Sequence, residues 1–131
     1  MTEGVVPPEL RYTKSHEWVR IEGDRATVGI TDHAQSELTD IVFVDLAVTG
    51  KSVAAGATVL VLESVKTVAD VYAPVAGTVA EVNAELKAHP ELINQDPYGR
   101  GWIFRLKLAG PADPAQFLSA DGYRAFLASS A

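Results

Sequence analysis

Two short runs of strand-forming residues meet at Val65 and Lys66, and this pattern constrains the fold more than any other feature of the chain. Residues 58–62 are β-branched or apolar, and residues 68–72 are mostly of the same kind before the breaker Pro74. The pattern predicts a tight β-hairpin with Lys66 at its tip. Two-residue hairpin loops favour glycine or asparagine, and this pair contains neither. Such poor turn chemistry at a rigid tip indicates that the two residues serve a function.

Further short strands are predicted along the chain, at 10–13, 18–21, 25–30, 41–46, 78–82 and from Trp102 to Leu108. Brief helices are predicted at 33–38, with Asp32 as the cap and Gln35 three positions on, and between Asn83 and His89. A loop is expected between Gly50 and Gly56, and a cluster of turn residues at 94–99. Asp113 and Pro114 predict the start of a C-terminal helix. Many closely spaced strands with few helices indicate a β-sandwich or small barrel rather than a parallel α/β fold.

The length, charge and composition of the chain exclude several classes of function. The 131 residues are 47% hydrophobic, which predicts one domain over residues 1–131. With 17 acidic and 11 basic side chains the net charge is -6, so a nucleic-acid partner is not expected. No apolar run is long enough for a signal peptide or a membrane span, and the chain has 0 cysteines. A cytoplasmic protein without disulfides, thiolate metal sites or a cysteine nucleophile is therefore expected.

No motif of a catalytic or metal site stands out. His16, His33 and His89 are scattered and lack ligand spacing, so neither a metal site nor a catalytic residue is predicted. Ser15, His16 and Glu17 include the residue types of a catalytic triad. Neighbours in a strand point to opposite faces and cannot form the required relay. Phosphate-binding glycine motifs are absent from the sequence.

The chemistry of Lys66 favours a substrate over a nucleophile. A Schiff-base lysine needs a lowered pKa, from burial or from a neighbouring cation. A hairpin tip offers little burial, and the nearby Glu63 and Asp70 favour the protonated amine. An exposed lysine is better suited to acylation by another enzyme, and the resulting arm could reach into partner sites.

Five separated motifs, which occur in order along most of the chain, resemble those of a known protein family. They are residues 12–19, 29–35, 40–44, 63–66, and a last motif of 90–94 and 96–99 ahead of Gly101 and Trp102. On these motifs the chain resembles the H proteins of the glycine cleavage system, the lipoyl-carrying members of a four-protein assembly. The resemblance implies a mainly β fold, a barrel-sandwich hybrid of two antiparallel sheets with short helices and a C-terminal helical extension.

The resemblance also implies that Lys66 carries covalently attached lipoate and that the protein catalyses no step itself. A lipoyl ligase or transferase would attach the group. A pyridoxal-phosphate-dependent glycine decarboxylase would load an aminomethyl group onto the lipoyl arm, and a tetrahydrofolate-dependent aminomethyltransferase would receive it. A dihydrolipoyl dehydrogenase would then reoxidise the arm, which places the protein in one-carbon metabolism.

The matching positions further nominate Glu17, Asp70 and, more weakly, Ser15 as a cleft that holds the protonated methylamine. Ordinary solvated strand charges are the alternative for these side chains. Two departures are visible, since Thr67 replaces a small alanine and Thr39 stands where the family commonly has glycine. Biotinyl and 2-oxoacid dehydrogenase lipoyl domains fit the residues around Lys66 less well. An H-like protein that relays lipoyl groups and an unmodified interaction scaffold stay open as alternatives.

Overall fold

A computed structural model of the chain describes residues 5–46, 49–111 and 114–130. These ranges contain nine β-strands, four α-helices and one 3-10 helix. The elements are β1 (Arg11–Tyr12), β2 (Glu17–Glu22), β3 (Arg25–Ile30), α1 (Asp32–Leu38), β4 (Ile41–Asp45), β5 (Ser52–Val53), β6 (Thr58–Ser64), β7 (Val68–Tyr72), β8 (Gly77–Val82), α2 (Glu85–Ala88), α3 (Leu92–Gln95), β9 (Phe104–Leu108), the 3-10 helix (Pro114–Gln116) and α4 (Ala120–Ser130).

The strands form two sheets, and every strand pair is antiparallel. The larger sheet has six strands in the order β1-β2-β3-β9-β8-β5, and the smaller has three in the order β4-β6-β7. The predicted mainly β fold with two antiparallel sheets, short helices and a C-terminal helix is therefore confirmed. The hairpin predicted around Lys66 is the pair β6 and β7 of the smaller sheet.

The main core joins the inner faces of both sheets. Leu60 and Leu62 of β6 pack in one buried cluster with Val79 of β8 and Leu106 of β9. Alternate residues of a strand point to one face, so the intervening residues of β6 are less buried. Each fully buried aliphatic side chain contributes about 1.5–3 kcal/mol to stability, and this cluster holds the hairpin base rigidly.

A second core seats the C-terminal helix. Tyr123 of α4 stacks on Tyr12 of β1, with ring centroids 4.8 Å apart. Asp113 lies outside the described residues, and Pro114 begins a 3-10 helix rather than α4. The helix starts later than predicted because Leu118 is extended and exchanges two backbone hydrogen bonds with Tyr12, each 2.8 Å long.

The cap of α1 also differs from the prediction. Thr31, rather than Asp32, is the N-cap, because its backbone is extended and its hydroxyl accepts the Ala34 N–H. Asp32 is the first helical residue, and its carboxylate accepts a hydrogen bond of 2.6 Å from the Gln35 side chain.

Smaller differences concern short elements, whose sequence signal is weak. The expected loop after Gly50 contains the two-residue strand β5, which pairs with β8. The turn cluster at 94–99 begins within the short helix α3. Trp102 precedes β9 instead of belonging to it, and it packs with the second core. Ala84, rather than Asn83, is the N-cap of α2, although the Asn83 side chain accepts the Glu85 N–H at 3.3 Å. The helix ends before His89 and Pro90 as predicted.

Candidate functional site

Lys66 lies at the tip of the hairpin between β6 and β7. Glu63 pairs with Val68, and the Ser64 N–H donates to the Thr67 carbonyl at 2.8 Å. Val65 and Lys66 are therefore the two central residues of the turn, as the sequence predicts. Neither residue has a positive φ. The missing glycine or asparagine is thus explained, because this turn does not use the left-handed conformation for which those residues are selected.

The tip is held by the side chain of Ser64. Its hydroxyl oxygen accepts the N–H groups of Lys66 at 3.2 Å and of Thr67 at 3.0 Å. The Val65 N–H donates to the Asp40 carbonyl at 3.0 Å, which ties the turn to the segment between α1 and β4. Ser64 was not nominated from the sequence, although serine at the first position of a turn is a common signal.

The Lys66 side chain is exposed. Its ammonium group lies 3.5 Å from the Glu37 carbonyl oxygen at the end of α1. This is a long contact that a reacting lysine can leave at little cost. Lys66 is thus a solvent-accessible amine on a backbone that is fixed by hydrogen bonds on both sides.

Glu17 is only 1% exposed, at the start of β2. Its carboxylate accepts the hydroxyl groups of Thr13 at 2.6 Å and Ser15 at 2.5 Å, and the Tyr72 N–H at 3.3 Å. None of the described Lys, Arg and His side chains forms an ion pair with it. Burial raises the pKa of Glu17, and these hydrogen bonds partly offset the rise.

Glu17 borders an open cavity of about 380 Å³. The lining residues are Thr13, Ser15, Glu17, Gly56, Tyr72, Ala73 and Pro74. Ser15 and Glu17, nominated together from the sequence, both line this cavity, and the structure adds Thr13 and Tyr72. Asp70 is not part of the lining. It is exposed on β7, on the same strand face as Val68 and Tyr72, so it lies between the lysine end of the strand and the cavity end.

The histidines are less scattered than their sequence positions suggest. The rings of His16 and His33 have centroids 4.8 Å apart, and His33 lies 3.6 Å from the Glu37 carboxylate. Burial, and next the neighbouring His33, lower the pKa of His16, whereas Glu37 raises it. Among the residues that the structure describes, no group of three His, Cys, Asp or Glu side chains has a metal-binding arrangement.

The three triad residue types do not form a relay. Ser15 donates to Glu17, whereas the His16 ring binds Tyr123 of α4. The predicted reason needs correction, because β2 begins only at Glu17 and His16 lies in a turn with a φ of 71°. That left-handed residue, and not strand alternation, separates the imidazole from the two oxygen-bearing side chains.

Exposed apolar side chains lie on the smaller sheet near the hairpin tip. Phe43, Glu63 and Val68 lie directly opposite one another on β4, β6 and β7, so they form one row on the outer face of the smaller sheet. Phe43 is 47% exposed and Val68 is 59% exposed. The register shift at Val42 leaves that residue exposed as well. An apolar surface interrupted by a carboxylate therefore adjoins the hairpin tip.

Comparisons with known proteins agree on one family. The family model described as Glycine cleavage H-protein matches residues 10–130. The glycine cleavage system H protein of Thermus thermophilus is 53% identical over 126 residues, which cover 96% of this chain and 98% of that protein. The one from Rubrobacter xylanophilus is 56% identical over 108 residues, covering 82% of this chain and 86% of its own length.

A solved structure gives the same result. The crystal structure of a glycine cleavage system H protein from Mycobacterium marinum superposes with a TM-score of 0.85 at 36% sequence identity. The match covers 94% of this chain and 99% of that one. No helix among the described residues is both long and apolar enough to cross a membrane.

Proposed function

The chain belongs to the glycine cleavage H-protein family, and from this premise we propose that it is a carrier subunit whose lipoyl group is attached to Lys66. The observation that carries the proposal is an exposed lysine at a turn fixed by Ser64, at the opposite end of β7 from a cavity with a buried carboxylate. A lipoyl group in amide linkage to Lys66 supplies a dithiolane that carries an aminomethyl group and, afterwards, electrons. The chain itself supplies attachment, shelter and docking surface, and no catalytic residue.

The lysine fits acylation. The ammonium group loses only the long contact with the Glu37 carbonyl when it enters a ligase or transferase site. The fixed backbone presents the side chain in one direction, which lowers the conformational entropy lost on binding. Loss of the lysine charge costs little, because no described carboxylate pairs with Lys66.

The cavity fits the aminomethyl cargo. A protonated methylamine needs hydrogen-bond acceptors and a negative charge, and Glu17 offers a carboxylate of low solvent exposure that forms no ion pair with any described side chain. Ser15 orients that carboxylate by donating to it. Asp70 contributes a further carboxylate along the path between Lys66 and the cavity. A cavity that excludes water would slow hydrolysis of an aminomethyl group held there, a reaction that would give ammonia and formaldehyde and restore the thiol.

The surface around the tip fits transient partners. These are the pyridoxal-phosphate-dependent glycine decarboxylase, the tetrahydrofolate-dependent aminomethyltransferase, the dihydrolipoyl dehydrogenase and the enzyme that attaches lipoate. Phe43 and Val68 offer apolar contact area beside Glu63. The net charge of -6 favours encounter with positively charged partner surfaces.

The test begins with intact mass and peptide mapping of protein from lipoate-replete cells. We expect one lipoyl group, on the peptide that contains Lys66. Lys66→Arg should keep the fold and the charge but remain unmodified, whereas the control Lys51→Arg, also at an exposed lysine, should be modified like wild type. An unmodified wild-type protein would indicate an interaction scaffold. A lipoylated protein that supports no glycine cleavage with purified partners would indicate a lipoyl relay.

A further inference from the structure

The turn that carries Ser15 and Glu17 depends on an unusual backbone conformation at His16. The Thr13 N–H donates to the Glu17 carbonyl at 3.0 Å, and the His16 N–H donates to the Thr13 carbonyl at 3.1 Å. His16 closes this loop with a φ of 71°, a region that residues with a side chain rarely adopt. Such a conformation costs free energy and persists only when its surroundings hold it.

The C-terminal helix α4 supplies the hydrogen bond that holds His16 in this conformation. The Nδ1 atom of His16 lies 2.8 Å from the Tyr123 hydroxyl, which lies 2.7 Å from the Thr31 hydroxyl. The Thr31 N–H donates to the His16 carbonyl at 3.0 Å. Both Tyr123 and Thr31 have 0% exposure. The His16 backbone and side chain are therefore fixed from the same buried point, which is also the cap of α1.

These contacts are compatible with a neutral imidazole. The Thr31 oxygen accepts the Ala34 N–H and shares a hydrogen bond with the Tyr123 hydroxyl, in which either oxygen can be the donor. In the tautomer protonated at Nε2, the Nδ1 atom of His16 accepts the Tyr123 hydroxyl proton. The charged or titratable groups that face this imidazole are His33 and Glu37 of α1 and Tyr123 of α4.

From this arrangement we infer that His16 and Tyr123 are positioning residues for the cargo cleft, and that α4 fixes the Glu17 carboxylate by holding His16 in the left-handed conformation. This inference rests on the cleft role of Glu17 in the proposed function. His16 touches neither the cavity nor Lys66, so it acts only through the turn. The C-terminal helix, which packs against Tyr12 and Trp18, thereby contributes to retention of the aminomethyl group.

The experiment measures ammonia release from the lipoylated protein after the decarboxylase has loaded it with an aminomethyl group from glycine and has been removed. Glu17→Gln is the reference for a damaged cleft. Tyr123→Phe and His16→Ala should each accelerate release about five-fold, the effect of one net hydrogen bond. His16→Asn should release at the wild-type rate, because asparagine tolerates a positive φ and places an oxygen acceptor near the Nδ1 position.

Tyr12→Phe is the matched control. It removes a tyrosine hydroxyl from the same stacked pair, but one that donates to the Pro7 carbonyl rather than to His16. It should destabilise the second core without changing release. The rate of lipoylation at Lys66 should be equal in all these variants, and thermal unfolding verifies that each is folded at the assay temperature.

A second readout needs no lipoyl group. In the unmodified protein, carbon-detected NMR of the Glu17 carboxyl should show its raised pKa move toward the ordinary value in Tyr123→Phe, but not in Tyr12→Phe. Unchanged ammonia release in Tyr123→Phe, with fast release in Glu17→Gln, overturns the inference and leaves the proposed function intact. Unchanged release in Glu17→Gln itself removes the cleft assignment and this inference with it.

Discussion

Ser64 and Thr67 face each other across the hairpin tip, and the Ser64 hydroxyl both accepts a hydrogen bond from the Thr67 backbone and donates one to it. The Ser64 oxygen accepts the Thr67 N–H at 3.0 Å and donates to the Thr67 carbonyl at 3.1 Å. The Ser64 N–H reaches the same carbonyl at 2.8 Å. A side chain therefore fixes this turn, which contains neither glycine nor asparagine. The backbone of Lys66, which lies between the two residues, is held in one conformation as a result.

Ser64→Ala should loosen this tip. The variant loses hydrogen bonds to Lys66 and Thr67 at a partly exposed position, so we expect the free energy of unfolding to fall by about 1 kcal/mol. Lipoylation should also slow, because the lysine backbone is no longer held in one conformation. A mass-spectrometric time course with purified ligase measures this, with Ser52→Ala as the control at an exposed serine of β5. Equal rates in the two variants would contradict the role of Ser64.

Glu17→Gln should change how stability depends on pH. Burial raises the pKa of Glu17, so the native state binds this proton more tightly than the unfolded chain does. The wild-type free energy of unfolding therefore loses a contribution as pH rises from ~4.3, the ordinary pKa of glutamate, through the higher native value. Glutamine lacks this titration. The stability of the variant relative to wild type should thus increase as pH rises through that window.

Urea denaturation of both proteins at several pH values checks this prediction, since the other carboxylates titrate in both and cancel in the difference. A difference that stays constant with pH would show that Glu17 has an ordinary pKa. Together with faster cargo release, a relative gain in stability near neutral pH would mark Glu17 as a residue kept for function at a cost to the fold.

The elements that the sequence predicted are those with a local signal. The hairpin was predicted from two strand-forming runs. The exposure of its lysine could also be predicted, because it depends on the position in the turn and not on a residue distant in the sequence. Ser15 and Glu17 were nominated as neighbours in a motif. The contact between His16 and Tyr123 joins residues 107 positions apart, so no local pattern contains it. The cap at Thr31 was missed although its contact with Ala34 is local, because Asp32, with Gln35 three positions on, matches a capping box equally well.

Thr39 occupies a backbone conformation suited to glycine. Its φ is 63° and its ψ is -152°, a region in which a β-branched side chain is strained. Thr39→Gly should raise the free energy of unfolding by about 1 kcal/mol, because relief of 1–3 kcal/mol of strain exceeds the ~0.5–1 kcal/mol of added backbone entropy in the unfolded chain. Thr39→Ala keeps the Cβ and should gain less. Chemical denaturation measures both, and a loss of stability in the glycine variant would contradict the strain.

Gly29 of β3 should tolerate no side chain. A Cβ built there would lie 2.6 Å from the indole nitrogen of Trp18, which is fully buried and donates to the Pro97 carbonyl at 2.9 Å. Gly29→Ala must push the indole away and weaken that hydrogen bond, so we expect a loss of about 1–3 kcal/mol from overpacking. Gly110→Ala is the matched control, since no atom lies within 4 Å of its added Cβ and its φ is not positive. The control should stay within about 0.5 kcal/mol of wild type. Equal denaturation midpoints for the two variants would mean that Trp18 can move freely, and that the second core, which also seats Tyr123, is less rigid than its packing indicates.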